Sequence, residues 1–144
     1  MNKKAEKFQA MLDELKIAAF HSDELTDEYH TIAFRSQMEI QSQFLPMMVL
    51  LDDSIYSIVR IFIAAKVVSD EDKSDIAKYL NDFNKKFKVF KYYISDAGDI
   101  VLDCCITADD DHFDPNLVRA VIDVVLRHLN EVYKDIMKEV WNNK

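Results

Sequence analysis

The densest run of chemistry-bearing residues is Asp109-Asp110-Asp111-His112, three carboxylates and an imidazole in succession. Such a run has the donor atoms to hold a divalent cation, and with metal bound, Asp109, Asp111 and His112 would suit a metal-assisted hydrolase. The spacing argues against it. A calcium loop carries its ligands through a glycine turn to a distal glutamate, and no glycine follows here. The acids also stand just ahead of a helical pattern, where the helix dipole stabilises them, so a solvated loop is expected. His128 and Glu131 stand three residues apart on a face of that same helical pattern, the last in the chain. Two ligands do not close a metal site, and a partly exposed helical histidine is the expectation. His21 and His30 have no partner identifiable from sequence.

Ser36, Ser42, Ser54 and Ser57 lack the glycines that a nucleophile elbow requires. Gly98 is the only glycine in the chain, which excludes the phosphate-cradling loops of P-loop and dinucleotide sites. Lys85, Lys86, Lys88 and Lys91 alternate with Phe87, Phe90, Tyr92 and Tyr93, a mixture that can stack on and pair with single-stranded nucleic acid. Their periods instead send most of the rings inward and the lysines outward, the latter near a helix C-terminus. Cys104 and Cys105 are adjacent, a spacing that suits neither a zinc knuckle nor a redox dithiol. On a strand they point to opposite faces, one more buried than the other, and both are expected reduced. No catalytic residue, metal set or cofactor is expected, and the chain is read as a non-enzyme.

Composition narrows the class. At 144 residues the chain fits one domain, residues 1–144, and nearly half of it is hydrophobic. A net charge of −8, from 26 acids against 18 bases, repels nucleic-acid backbones and anionic lipid surfaces. The longest apolar region, Ile55 to Val68, contains Arg60 and Lys66 and is too short to span a bilayer. Charged residues interrupt the N-terminal segment, so no signal peptide is predicted and the expected compartment is the cytoplasm.

The elements follow from hydrophobic period. Ala5, Phe8, Met11, Leu12, Leu15 and Ala19 mark an amphipathic helix over Lys3 to Ala19, and His21 to Glu28 reads as a loop. From His30 the period becomes two: Ile32, Phe34, Met38 and Ile40 face one way, Arg35, Gln37 and Glu39 the other. Gln41-Ser42-Gln43 connects to a second strand, Phe44 to Leu51, whose Pro46 predicts an edge position or a bulge. A third strand runs from Ile55 to Val67. Ser69-Asp70-Glu71-Asp72 resembles a capping box ahead of a helix carrying Ile76, Tyr79, Leu80, Phe83 and Phe87. Lys88 to Ile94 and the strand from Ile100 form a hairpin about Gly98, where positive φ is needed, with Leu102, Cys104 and Ile106 inside and Asp103 outside. Asp114-Pro115 opens a final helix with Val118, Ile122, Val125, Leu129, Val132, Ile136 and Val140 inside, roughly 40 Å long if continuous to Asn142. The predicted fold is α+β, in the order α-β-β-β-α-β-β-α, an antiparallel sheet of about five strands packed with helices.

The apolar surplus is what points to a role. Leu45, Met47, Val49 and Leu51 oppose Phe44, Met48 and Leu50 on the second strand, while Ile58 and Phe62 oppose Val59, Ile61 and Ile63 on the third. A face that the chain's own helices leave bare needs a dimer mate or a bound segment. Leu45, Met47, Val49 and Trp141 are the predicted partner-binding residues, with Tyr133 and Met137 beside Trp141 on the last helix.

The element order, the hairpin Tyr92-Tyr-Ile-Ser-Asp-Ala-Gly-Asp-Ile-Val-Leu and the long helix opened by Phe113-Asp-Pro resemble the type III secretion chaperone-like fold. Within that fold the chain is similar to the YbjN-type family of bacterial sensory transduction regulators. The resemblance implies a small, acidic, dimeric protein without catalysis; chaperones of this fold hold an extended segment of a client. The expected function is therefore a protein-binding or regulatory module, homodimeric and chaperone-like. Its alternative is a small-molecule-sensing regulator with an internal apolar pocket.

Overall fold

In the computed structural model, which describes residues 1–144, the chain runs α1 (Lys3–Glu14), β1 (His21–Glu24), β2 (Ile32–Ile40), β3 (Gln43–Leu51), β4 (Tyr56–Ala64), α2 (Lys73–Lys86), β5 (Lys91–Ile94), β6 (Ile100–Thr107) and α3 (Pro115–Asn142). Three helices pack with one antiparallel sheet in the order β1-β2-β3-β4-β6-β5, which is the α+β class that the periods predicted. The sheet has six strands rather than five. His21–Glu24, expected as loop, pairs with Ile32–Arg35. It was invisible to a hydrophobic pattern because none of its residues is apolar or buried.

Helix α1 stops five residues before the predicted end. Leu15 caps it and Lys16 turns into the left-handed region at φ 56°. The N–H of Ile17 donates to Leu12 C=O at 2.8 Å and that of Lys16 to Asp13 C=O at 3.2 Å, the two bonds of a Schellman ending. Asn2 caps the other end through Ala5 N–H, and its amide also donates to the carbonyls of His30 and Leu51. Beside it Lys4 is fully buried. Its ammonium donates to Ser54 C=O (2.7 Å), Tyr56 C=O (3.0 Å) and Ser57 Oγ (3.0 Å), so the first turn of α1 is fastened to the β3–β4 connection.

Pro46 lies inside the sheet, not at an edge. The two-residue turn Gln41-Ser42, both at positive φ, closes on the pair Ile40–Gln43. Hydrogen-bonded and open pairs alternate from that closing pair, which puts Pro46, opposite Gln37, at an open position toward β2. Its missing N–H therefore faces β4, whose pairing begins only at Met47. No ladder bond is lost.

Ahead of α2 half of the expected capping box forms: Asp72 Oδ1 accepts from Ser69 N–H at 2.7 Å and from its hydroxyl at 3.0 Å. Gly98 sits at φ +86° in the β5–β6 turn, and its carbonyl accepts from both Val67 and Val68 N–H. Asp114 accepts from Asn116 N–H at 2.9 Å to open α3, which continues unbroken to Asn142. The inner residues of α1, α2 and α3 and one face of the sheet form a single core. Phe8 meets Phe34 edge-on at 4.8 Å, Ile76 and Leu80 enter from α2, and Val118, Val125, Leu129, Ile136 and Val140 enter from α3. Every strand residue of that core from β2 to β6 has the same pleat parity, so all three helices lie on one side of the sheet.

Candidate functional site

The acidic run forms a surface turn. Asp109 Oδ1 accepts from His112 N–H at 2.9 Å and lies 2.7 Å from His112 Nδ1, an arrangement that holds the Asp109 carboxyl below the usual carboxylate range. Asp110 contributes its backbone carbonyl, which accepts from Lys7. The group closes on itself, and the following residues serve the fold: Phe113 enters the core and Asp114 caps α3.

His128 departs from the expectation of a partly exposed side chain. It is only 7 % exposed, on the inner face of α3, whereas Glu131 is exposed. Its Nε2 lies 2.5 Å from the Tyr92 hydroxyl. Phe83, Phe87 and Phe90 surround the ring, the nearest centroids at 4.4 and 4.5 Å. Burial pushes His128 down to about 4 and raises Tyr92, so both are neutral and the hydroxyl donates to Nε2. The lysine–aromatic run at residues 85–93 thus divides as its periods predicted, with Phe90 and Tyr92 in this cluster and Lys85, Lys86, Lys88 and Lys91 exposed. The surface depressions are open, one lying beside Tyr79 and Phe83 of α2 and another beside Tyr133, Met137 and Trp141 of α3.

The largest unassigned feature is the side of the sheet away from the helices. Four adjacent strands turn to this side Phe44, Pro46, Met48 and Leu50 from β3, Ile58, Arg60 and Phe62 from β4, Asp103 and Cys105 from β6, and Tyr93 from β5; Val101 of β6, between Phe62 and Tyr93 in the register, is itself buried. The register aligns these into rows. Leu50, Ile58 and Cys105 form one; Met48, Arg60, Asp103 and Lys91 the next; Phe62, Val101 and Tyr93 the third. Phe44 is 62 % exposed, and Tyr93 and Cys105 are exposed as well. Only Arg60 and Asp103 place charge at the centre, bonded to each other through Nε–Oδ1 (2.8 Å) and Nη2–Oδ2 (2.9 Å). Lys91 turns its ammonium back onto the carbonyls of Asn84 (2.9 Å) and Phe87 (2.7 Å), leaving its methylenes in the row. On β2 the same side carries Arg35, Gln37 and Glu39, all exposed, which bound the apolar area with a polar margin. A dry centre of aromatic, Met and Arg side chains with a polar rim is the composition of a protein-binding surface.

None of the four residues predicted for that role lies on this face. Leu45, Met47 and Val49 are buried in the core beneath the helices and present no surface; the bare face of β3 is the opposite one. The hairpin carried the signal that would have separated the two faces. A two-residue turn pairs Leu45 with Met38 and Val49 with Phe34, and paired residues share a face. The polar set Arg35, Gln37 and Glu39 then marks the other face as outward. Reading the connection as Gln41-Ser42-Gln43 left that register open. Trp141 is 67 % exposed near the end of α3, beside Met137 and Tyr133 and the β2–β3 turn, remote from the four-strand face in sequence and on the helical side of the sheet. Arg60 and Asp103, which centre the face, were missed because their pairing joins strands 43 residues apart in sequence.

Compared with known proteins, the chain matches no family model, and no curated protein matches it in sequence.

Proposed function

We propose that the chain is a cytoplasmic, non-enzymatic protein-binding module that uses the helix-free side of its sheet. The observation that carries this reading is the apolar surface of β3, β4, β6 and β5, centred on one internally paired Arg60–Asp103 bridge and bounded by polar β2. An apolar area of this kind on a sheet is stabilised when another protein surface removes it from water. The chaperone-like reading is supported by the order of the elements, which with β1 set aside runs α-βββ-α-ββ-α. Strand β1 is an addition to the order on which the resemblance to secretion chaperones and the YbjN-type regulators rests. No helix of the chain is long and apolar enough to cross a membrane.

The test is affinity capture from native lysate with the wild-type chain and with Phe62→Asp in parallel, folding being checked by circular dichroism. Proteins held by the face are recovered with the wild type and lost with the variant. Recovery of the same proteins by both places binding elsewhere, and Trp141→Ala then examines the other exposed aromatic group.

A further inference from the structure

We propose that the occupant of this face is a second copy of the chain, joined as a two-fold sandwich whose axis runs along the strands between β4 and β6. The inference rests on reading the face as a binding surface and names what binds there. Its ground is the symmetry of the face itself. The four apolar strands run β3-β4-β6-β5, so the gap between β4 and β6 is their midline. Arg60 and Asp103 flank that midline directly opposite one another.

A two-fold axis along the strands at that line sets each Arg60 over Asp103 of the second copy. Positive meets negative twice, and each charge keeps its partner within its own sheet. The same operation maps every row onto itself. Ile58 falls over Cys105 of the second copy, Phe62 over the row in which Val101 lies buried beside exposed Tyr93, and Met48 over the methylenes of Lys91, whose ammonium is held by the carbonyls of Asn84 and Phe87. Facing sheets pack about 10 Å apart with strand directions within about 30°. Moving the axis to the centre of the whole sheet, between β3 and β4, would instead lay Arg60 over Met48 and polar β2 over apolar β6.

Strand addition at an edge is the competing use of a sheet, and the edges are poorly suited to it. The Asn84 carboxamide seals β5: its Oδ1 accepts from Tyr92 N–H (2.8 Å) and its Nδ2 donates to Tyr92 C=O (3.0 Å), standing in for a neighbouring strand. At the other edge β1 is His21-Ser22-Asp23-Glu24, short and polar.

Strands of nine, nine, eight and four residues, about 4.8 Å apart, span roughly 500 Å² per copy. The resulting total of roughly 1,000 Å² is the lower limit for a specific interface, so a reversible dimer dissociating at about 1–100 µM is expected.

Sedimentation across that concentration range tests the inference. Arg60→Asp and Asp103→Arg, each alone, set acid against acid or base against base and are expected to be monomeric where the wild type dimerises. An equimolar mixture of the two restores both contacts and is expected to associate, and the double variant Arg60→Asp/Asp103→Arg dimerises by itself. Should a charge variant fail to fold, Phe62→Ser, which removes a central ring, is expected to weaken the dimer about tenfold or more. Wild-type-like association of every single variant, or a mixture that does not associate, overturns the proposal. A wild type monomeric throughout the range also overturns it, and Cys105 then tells how far the failure extends. If native lysate shields that thiol from maleimide, the face still binds another protein; if it stays fully reactive, the reading of the face fails too.

Discussion

At His128 the surroundings are Phe83, Phe87, Phe90 and the Tyr92 hydroxyl, with burial holding the imidazole at about 4 against its ordinary 6.5. The unfolded chain therefore binds a proton that the folded one refuses between those two values. The contribution of neutral His128 is fully present above pH 6.5, declines as pH falls and is gone below about pH 4. Its size is on the order of 3 kcal/mol. Urea unfolding across this window should show His128→Gln, which keeps an acceptor for the tyrosine, with a flatter pH dependence than the wild type; equal slopes would place the acid sensitivity in other groups. Gly98 gives a second prediction at this scale. A Cβ there would stand 2.3 Å from Val68 O, on backbone at φ +86°. Gly98→Ala is expected to cost about 2–4 kcal/mol by denaturant unfolding, from left-handed strain together with a clash against main chain.

Apart from the β5–β6 turn at Gly98, the elements end and turn without glycine. Lys16, His30, Gln41, Ser42 and Lys66 all occupy positive φ, a conformation that costs a side-chain-bearing residue roughly 1 kcal/mol. At Lys16 the Schellman bonds are already formed, so Lys16→Gly should relieve strain without changing the fold. A gain of about 0.5–1 kcal/mol in unfolding free energy is expected, and a loss would mean that the lysine side chain is itself stabilising. The same shortage of glycine explains why the end of α1 was not legible. Leu15 and Ala19 continue the helical period beyond Glu14, and Lys16 carries none of the usual signs of a stop. Elements with strong period and ordinary caps were legible: α3 from Asp114-Pro115 onward, and the β5–β6 hairpin about Gly98.

Because every helix lies on one side of the sheet, the whole molecule treats its two adjacent thiols differently. Cys104 points into the core, where burial pushes it up to about 11, and Cys105 points to the bare face. In dilute native protein, maleimide should modify Cys105 rapidly and Cys104 only after urea is added, as intact mass will report. Rapid modification of both would mean that the helical layer opens from the sheet. This two-sidedness also governs the charged groups: Lys4 is buried on the helical side among backbone acceptors, while Arg60 and Asp103 stand paired on the open one.

The sequence by itself determined which segments are helix and strand, wherever a repeat of two or three to four residues ran long enough, and which side chains share a face of each segment. It also determined, through a single glycine, that phosphate-cradling loops are absent. Both are local properties, set by backbone geometry within a few residues. Only the tertiary structure decided which face of β4 the helices cover, since both of its faces are apolar and its pairing with β3 and β6 is set by packing across the chain; for β3 the choice lay in the register of its hairpin with polar-faced β2. The burial of His128 and Lys4 was settled in the same way. Each lies inside because distant groups, Tyr92 for one and the carbonyls of Ser54 and Tyr56 for the other, supply the bonds that make a polar side chain tolerable away from water.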